Sequence, residues 1–159
     1  YARELKYTHV IVVRFTHGWE MLLRCLTGAM ALFRVTSLQF QKEIFHHAVA
    51  TDHYPELILN NFDSRIGVRV GRFLGSLFPQ NPDFKGRRVV TFHNQRDFIF
   101  FRHHRYIFKE GFDGVNMQEI GPRFTLKLLK FYSGDEESVK GLEFEAKDNM
   151  YVDRKKVYL

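Results

Sequence analysis

Phe92-His93-Asn94-Gln95-Arg96-Asp97-Phe98-Ile99-Phe100-Phe101-Arg102-His103-His104-Arg105-Tyr106-Ile107-Phe108 decides how this chain folds. Apolar and aromatic residues threaded with Arg and His predict a strand from Arg87 to His93, a tight turn over Asn94–Asp97 and a second strand from Phe98 to Phe108. On that second strand Phe98, Phe100 and Phe108 take one face, and Ile99, Phe101 and Ile107 the other. A strand apolar on both faces belongs in the covered centre of a sheet, so most of these rings are expected in the core. Arg102, His103, His104 and Arg105 interrupt the apolar pattern. They are the better nucleic-acid candidates, because phosphates attract cations while unpaired bases need flat surfaces.

Downstream, Glu119-Ile120-Gly121-Pro122-Arg123-Phe124-Thr125-Leu126-Lys127-Leu128 opens a strand running from Arg123 to about Phe131. Phe124, Leu126 and Leu128 point one way, and Arg123, Thr125 and Lys127 the other, giving a core face and a cationic face. A loop holding Gly111 and Gly114 leads into it. Upstream of the hairpin, Asp63 or Ser64 is placed to cap a helix reaching about Phe78, where Pro79, Asn81 and Pro82 stop it. Its core stripe is Ile66, Val70, Phe73, Leu74 and Leu77, and its basic stripe Arg65, Arg69 and Arg72. Gly67, Gly71 and Gly75 make a flat edge. Each costs roughly 1 kcal/mol of helix propensity relative to Ala. Close approach of a backbone would offset that, whether from this protein's own sheet, a partner or a phosphate.

Three strands at Thr8–Phe15, Glu20–Leu26 and Ala29–Val35, turning at Thr16–Gly18 and Thr27–Gly28, form an expected meander. Residues 37–54 are ambiguous: 37–45 fit a short helix or an extended segment, and His46, His47 and His53 follow. Leu57–Leu59 reads as a short strand between Tyr54-Pro55 and Asn60-Asn61. Asp135-Glu136-Glu137 marks an acidic loop, Leu142–Ala146 a last short strand and Asp153-Arg154-Lys155-Lys156 a basic tail.

The chain has 159 residues, one domain's worth, with 45% hydrophobic and 26% charged residues, so a folded core is expected. No apolar run approaches the ~20 residues of a membrane span. The polar start Tyr1-Ala2-Arg3-Glu4-Leu5-Lys6 is unlike a secretory leader. One cysteine, Cys25, excludes an internal disulfide and a Cys-rich zinc site and fits a reducing compartment. The net charge of +6 is unevenly spread: residues 65–130 hold 13 Lys/Arg against 5 Asp/Glu, and the remainder 11 against 13. A focused positive segment fits a polyanion, or else a solvated basic surface.

Catalytic signatures are missing. There is no Gly-rich phosphate loop, nucleophile elbow or zincin helix. His46-His47 and His103-His104 are adjacent pairs whose members diverge on a strand, so they read as polar surface or phosphate contacts and not as chelates. His93, Arg96 and Asp97 can be drawn as a cluster, but Asx-type hydrogen bonding at a turn accounts for them. The basic segment lacks the paired carboxylates that hold Mg²⁺ in nucleases.

Pro55-Glu56-Leu57-Ile58-Leu59-Asn60-Asn61-Phe62, Gly71-Arg72, Leu77-Phe78-Pro79, Thr91-Phe92-His93-Asn94-Gln95-Arg96-Asp97-Phe98-Ile99-Phe100-Phe101-Arg102 and Gly121-Pro122-Arg123-Phe124-Thr125-Leu126-Lys127-Leu128 together resemble the Brix domain. The likeness is close over residues 54–131 and traceable elsewhere. It implies an α/β fold over residues 1–159: an anticodon-binding-domain-like half with a mixed β-sheet and packed helices, the first half of the domain being partly absent. It further implies a nuclear, nucleolar factor in assembly of the large (60S) ribosomal subunit. Such a factor binds precursor rRNA beside a dedicated assembly-factor protein and other pre-ribosomal proteins. It acts as a scaffold without catalysis, cofactor, metal, membrane or small-molecule substrate.

Combined with the charge pattern, the expected RNA contacts are Arg65, Arg69, Arg72, Arg87, Arg88, Arg96, Arg102, Arg105, Arg123 and Lys127. Arg96 and Arg123 serve equally well as braces that hydrogen-bond backbone carbonyls of their own turns. Two rivals stay open: a protein-interaction module with incidental RNA contacts, and an RNA-processing enzyme.

Overall fold

The computed structural model describes residues 1–26, 28–111, 114–134, 141–146 and 158–159. The acidic stretch at 135–137, the basic stretch at 153–156 and Thr27 of the expected turn lie outside these residues. Among the described residues nine strands form one mixed sheet: β1 (His9–Phe15), β2 (Trp19–Cys25), β3 (Met30–Gln39), β4 (Glu56–Asn60), β5 (Arg88–Gln95), β6 (Phe98–Phe108), β7 (Val115–Glu119), β8 (Arg123–Tyr132) and β9 (Leu142–Glu145). The order is β1-β2-β3-β8-β6-β5-β4, with β7 added to β6 and β9 to β8. Only β4 and β5 pair in parallel; the crossover between them carries the one α-helix of the described residues, α1 (Arg65–Gly75). The expected packed helices thus reduce, among the described residues, to α1 and two short 3₁₀ turns.

The Phe92–Phe108 hairpin is central, as its two-faced apolar pattern predicts. Strand β6 pairs with β5 from Phe98 to Arg105 on one edge. On its other edge it meets β8 from Phe98 to Phe101 and then β7 from His104 to Phe108. Strands β7 and β8 therefore run end to end as one interrupted strand, broken at Ile120-Gly121-Pro122. Arg96 and Asp97, both with positive φ, make the two-residue hairpin turn.

Helix α1 starts where Ser64 caps it, the hydroxyl accepting from the Gly67 amide at 2.8 Å. Such a cap contributes about 1 kcal/mol. The helix packs Val70, Phe73 and Leu74 onto the face carrying Phe33, Phe92, Ile99, Leu126 and Phe131. Ring contacts Phe73–Phe131 (6.0 Å) and Phe78–Phe92 (5.9 Å) lock the crossing.

The three helix glycines face this chain's own elements. A Cβ on Gly67 would stand 2.6 Å from the Leu159 carbonyl carbon, one on Gly71 3.1 Å from the Phe62 ring, and one on Gly75 3.3 Å from a Leu57 methyl. Their cost in helix propensity is offset by internal close packing, not by an external ligand.

Tyr158 and Leu159 explain much of the hairpin's polar wording. Asp97 Oδ1 accepts from both the Tyr158 and Leu159 amides at 2.8 Å. Buried Asn94 donates to the Asn61 and Leu159 carbonyls at 2.8 and 3.0 Å. The Ser64 hydroxyl donates to the Tyr158 carbonyl at 2.6 Å. Asp97 is therefore a clamp between the hairpin turn, the start of α1 and residues 158–159, where an Asx-type turn was expected.

Candidate nucleic-acid interface

Residues paired across strands share a face, so the register sorts the side chains. The β4–β5 crossover packs on the α1 side of the sheet. There Arg88 donates to the carbonyls of Thr51 and His53, holding the segment that leads into β4. Among the described residues no helix covers the opposite side. One row across that open face runs Arg14, Glu20, Arg34, Lys127, Phe98 and Gln95, taking one residue from each of six strands. The next row holds Thr36, Thr125, Phe100, His93 and Asn60. Arg102, His104, Glu119 and Arg123 lie beyond it, and Arg24 and Lys130 extend the cations toward β9.

Phe98 and Phe100 are only half-buried on this face. The Lys127 ammonium lies 5.2 Å from the Phe98 ring centroid and the Arg102 guanidinium 5.8 Å from that of Phe100. Both distances are within reach of a cation–π attraction of roughly 0.5–1 kcal/mol at such sites. The expectation that these aromatics belong to the core holds for Phe101 on the helix side and fails for Phe98 and Phe100. Residue period alone cannot say whether a second layer exists.

Four expected RNA contacts, Arg123, Arg102, Arg88 and Arg69, prove to have internal duties. Arg123 forms a bidentate pair with Glu119, Nε to Oε1 at 2.9 Å and NH2 to Oε2 at 2.6 Å. It braces its corner through a carboxylate, where backbone carbonyls were the expected partners. Arg102 donates to the carbonyls of Phe101 at 2.7 Å and Phe124 at 3.4 Å. Burial lowers its pKa, Glu119 raises it and Arg123 lowers it further, yet a guanidinium stays charged at neutral pH. Arg88, on the helix side, donates to Thr51, His53 and His103, so it anchors backbone. Arg69 pairs with Glu143.

Arg65, Arg72, Arg87, Arg96 and Arg105 are exposed, and none makes a side-chain hydrogen bond or ion pair with another described residue. The ten candidates do not form one surface. Arg65, Arg69 and Arg72 ride on α1, across the sheet from Lys127, Arg102 and Arg123. Arg34 was missed by sequence reasoning. It sits in an alternating stretch, Leu32-Phe33-Arg34-Val35-Thr36, but only the β3–β8 register sets it beside Lys127.

His103 also departs from expectation: it is buried, at 8% exposure, and not a surface contact. Its Nδ1 lies 3.0 Å from the Gly121 carbonyl, and its Nε2 accepts from Arg88 Nε at 3.2 Å. These partners fit one neutral tautomer. Burial lowers its pKa most, the Gly121 hydrogen bond raises it, and Arg88 and His104 lower it. With the folded pKa below the usual 6.5, the unfolded chain binds the proton more readily. The histidine's contribution is complete above about pH 6.5 and declines as pH falls through that value. H103Q, which can donate to Gly121 and accept from Arg88, is expected to flatten the acid limb of melting temperature against pH between 7 and 5. An unchanged limb would assign it to other groups.

Among the described residues no three His, Cys, Asp or Glu side chains converge as a metal site requires. No helix of these residues is long and apolar enough to cross a membrane.

The family model of the Brix domain matches residues 2–130. The chain is 49% identical over 132 residues to Ribosome production factor 1 of Saccharomyces cerevisiae, covering 83% of this chain and 43% of that protein. It is 48% identical over 143 residues to Ribosome production factor 1 of Rattus norvegicus, covering 87% and 41%. Against the protein of that name in Danio rerio it is 48% identical over 143 residues, covering 87% and 43%. The chain thus spans about two fifths of the length of the curated relatives it matches.

Proposed function

The chain belongs to the Brix domain family, and on that premise we propose that it is a non-catalytic assembly factor of the large ribosomal subunit that grips precursor rRNA in the nucleolus. On this reading the sheet, with the one α-helix of its described residues, would be the anticodon-binding-domain-like half of a two-part domain. The observation that carries this proposal is the row Arg34–Lys127–Phe98 on a sheet face that no described helix covers, flanked by Arg24, Arg102 and Lys130. Its carboxylates Glu20, Glu119 and Glu145 are engaged by Arg14, Arg123 and Lys130, at 2.7, 2.6 and 2.6 Å, and Glu56 accepts from the Tyr106 hydroxyl; with Arg24, Arg34, Arg102 and Lys127 added the face stays net cationic. Phosphates would bind there with release of counterions. Arg65 and Arg72 on α1 offer a second, smaller contact to rRNA that wraps the edge.

A dedicated protein partner has a different seat. Ile11, Val13, Phe15 and Trp19 are exposed on the α1 side of β1 and β2, beyond the reach of the helix. Apolar surface of this kind favours protein contact. The protein-interaction rival therefore becomes a second role of the other side of the sheet.

Titrating the chain against labelled precursor-rRNA fragments at 50–300 mM salt tests the proposal. The expected result is a steep log–log fall in affinity with salt, and intact RNA after incubation with Mg²⁺. Charge reversal of Arg65, Arg69 and Arg72 together is expected to weaken binding only a few-fold. Absence of saturable binding at any salt would overturn the proposal, and cleavage would revive the enzyme reading.

A further inference from the structure

Resting on the reading of the chain as an rRNA-binding factor, we propose that the open face takes unpaired nucleotides, two bases stacking on Phe98 and Phe100. Phosphate binding needs only cations; it gives no reason for two half-buried phenylalanines on a sheet face that no described helix covers. The rings are two residues apart on one strand, so they stand about 7 Å from each other on the same side. That spacing suits two splayed bases, as on the aromatic sheet platforms of single-strand binders. Strand β6 is hydrogen-bonded on both edges at this point, to β5 and to β8, so the platform is rigid.

Each ring has its own cation, Lys127 at 5.2 Å and Arg102 at 5.8 Å. The phosphate of a nucleotide stacked on either ring would meet a positive charge. Polar neighbours in register, Gln95 beside Phe98 and His93 beside Phe100, can hydrogen-bond base edges. An intact A-form duplex keeps its base faces inside its own stack and offers the rings nothing. An acidic protein would satisfy the cations while leaving two flat rings without a matching geometry, so charge and shape together favour single-stranded RNA.

The test measures binding of the full chain to a fluorescein-labelled single-stranded RNA dodecamer and to a hairpin of the same composition. F98L and F100L are each expected to raise Kd for the single strand about ten-fold, with little change for the hairpin. F98Y and F100Y, which keep the ring, should retain affinity. Photo-crosslinking of native protein to 4-thiouridine RNA needs no variant and is expected to label residues 98–102.

Equal Kd values for native protein and the Leu variants, or crosslinks confined to other segments, overturn the stacking proposal while the chain still binds rRNA. Failure of native protein to bind either RNA overturns the assembly-factor reading itself. Protection of β6 from hydrogen exchange by a protein partner but not by RNA likewise overturns the stacking proposal.

Discussion

Alanine at Gly121 is expected to lower folding stability by about 3 kcal/mol, because two separate penalties fall on one residue. Its φ of +80° is a conformation that L side chains rarely adopt. Its missing Cβ would lie 2.6 Å from Ile44 Cδ1 and 3.2 Å from the Gln41 backbone. The methyl cannot be accommodated without moving the segment after β3. Gly121 also accepts the His103 hydrogen bond and separates β7 from β8, so movement there shifts the Glu119–Arg123 pair on the open face.

For a chain of this size the expected fall in Tm is roughly 6–12 °C. Gly75 is the control: its φ is helical and its Cβ would touch only Leu57 and Leu59 methyl groups at 3.3 and 3.4 Å. G75A is expected to melt within a few degrees of native, the gain in helix propensity offsetting mild crowding. If thermal melts show G121A unaffected, the corner is softer than its contacts imply.

Reversing Arg34 and Lys127 together to glutamate is expected to weaken single-stranded RNA binding about 100-fold near 0.1 M salt, roughly 2.7 kcal/mol. The two face each other across β3 and β8, in the middle of the cationic row. Loss of two phosphate contacts should flatten the log–log salt slope by about 1.4. Substitution to glutamate also plants two like charges beside Glu20, which repels the backbone of the ligand. The matching reversal of Arg65 and Arg72 on α1 controls for net charge, since it changes the charge equally on the other side of the sheet. Fluorescence anisotropy at several salt concentrations separates them. An equal loss from both pairs would mean that net charge, not the open face, attracts RNA.

Several elements were legible before any coordinates. The Phe98–Phe108 strand, the meander, a cap at Asp63 or Ser64 and the Arg123 strand follow from side-chain period and turn chemistry, which are local properties; the structure selects Ser64 as the cap. Strand β7 was not legible. Val115-Asn116-Met117-Gln118-Glu119 alternates only through Val115 and Met117, both of which stay exposed, and is extended because the second half of β6 supplies its hydrogen bonds. The role of Asp97 was equally hidden, since the two amides it holds come from 61 and 62 residues away along the chain.

The candidate site divides in the same way. Local sequence placed positive charge between residues 65 and 130 and predicted a cationic face on β8. It also identified the membership that the Brix match later showed. It could not tell that α1 lies across the sheet from Lys127, or that Arg88 and Arg123 are engaged in bracing the fold. Nor could it tell that Phe98 and Phe100 lie on the face that no described helix covers while Phe101 lies on the face where α1 packs. Period and composition depend on neighbours a few residues away, so they decide which faces an element has. What each face meets depends on register and crossover direction, which long-range pairing alone sets. The open, ring-bearing cationic surface is therefore a property of the assembled sheet.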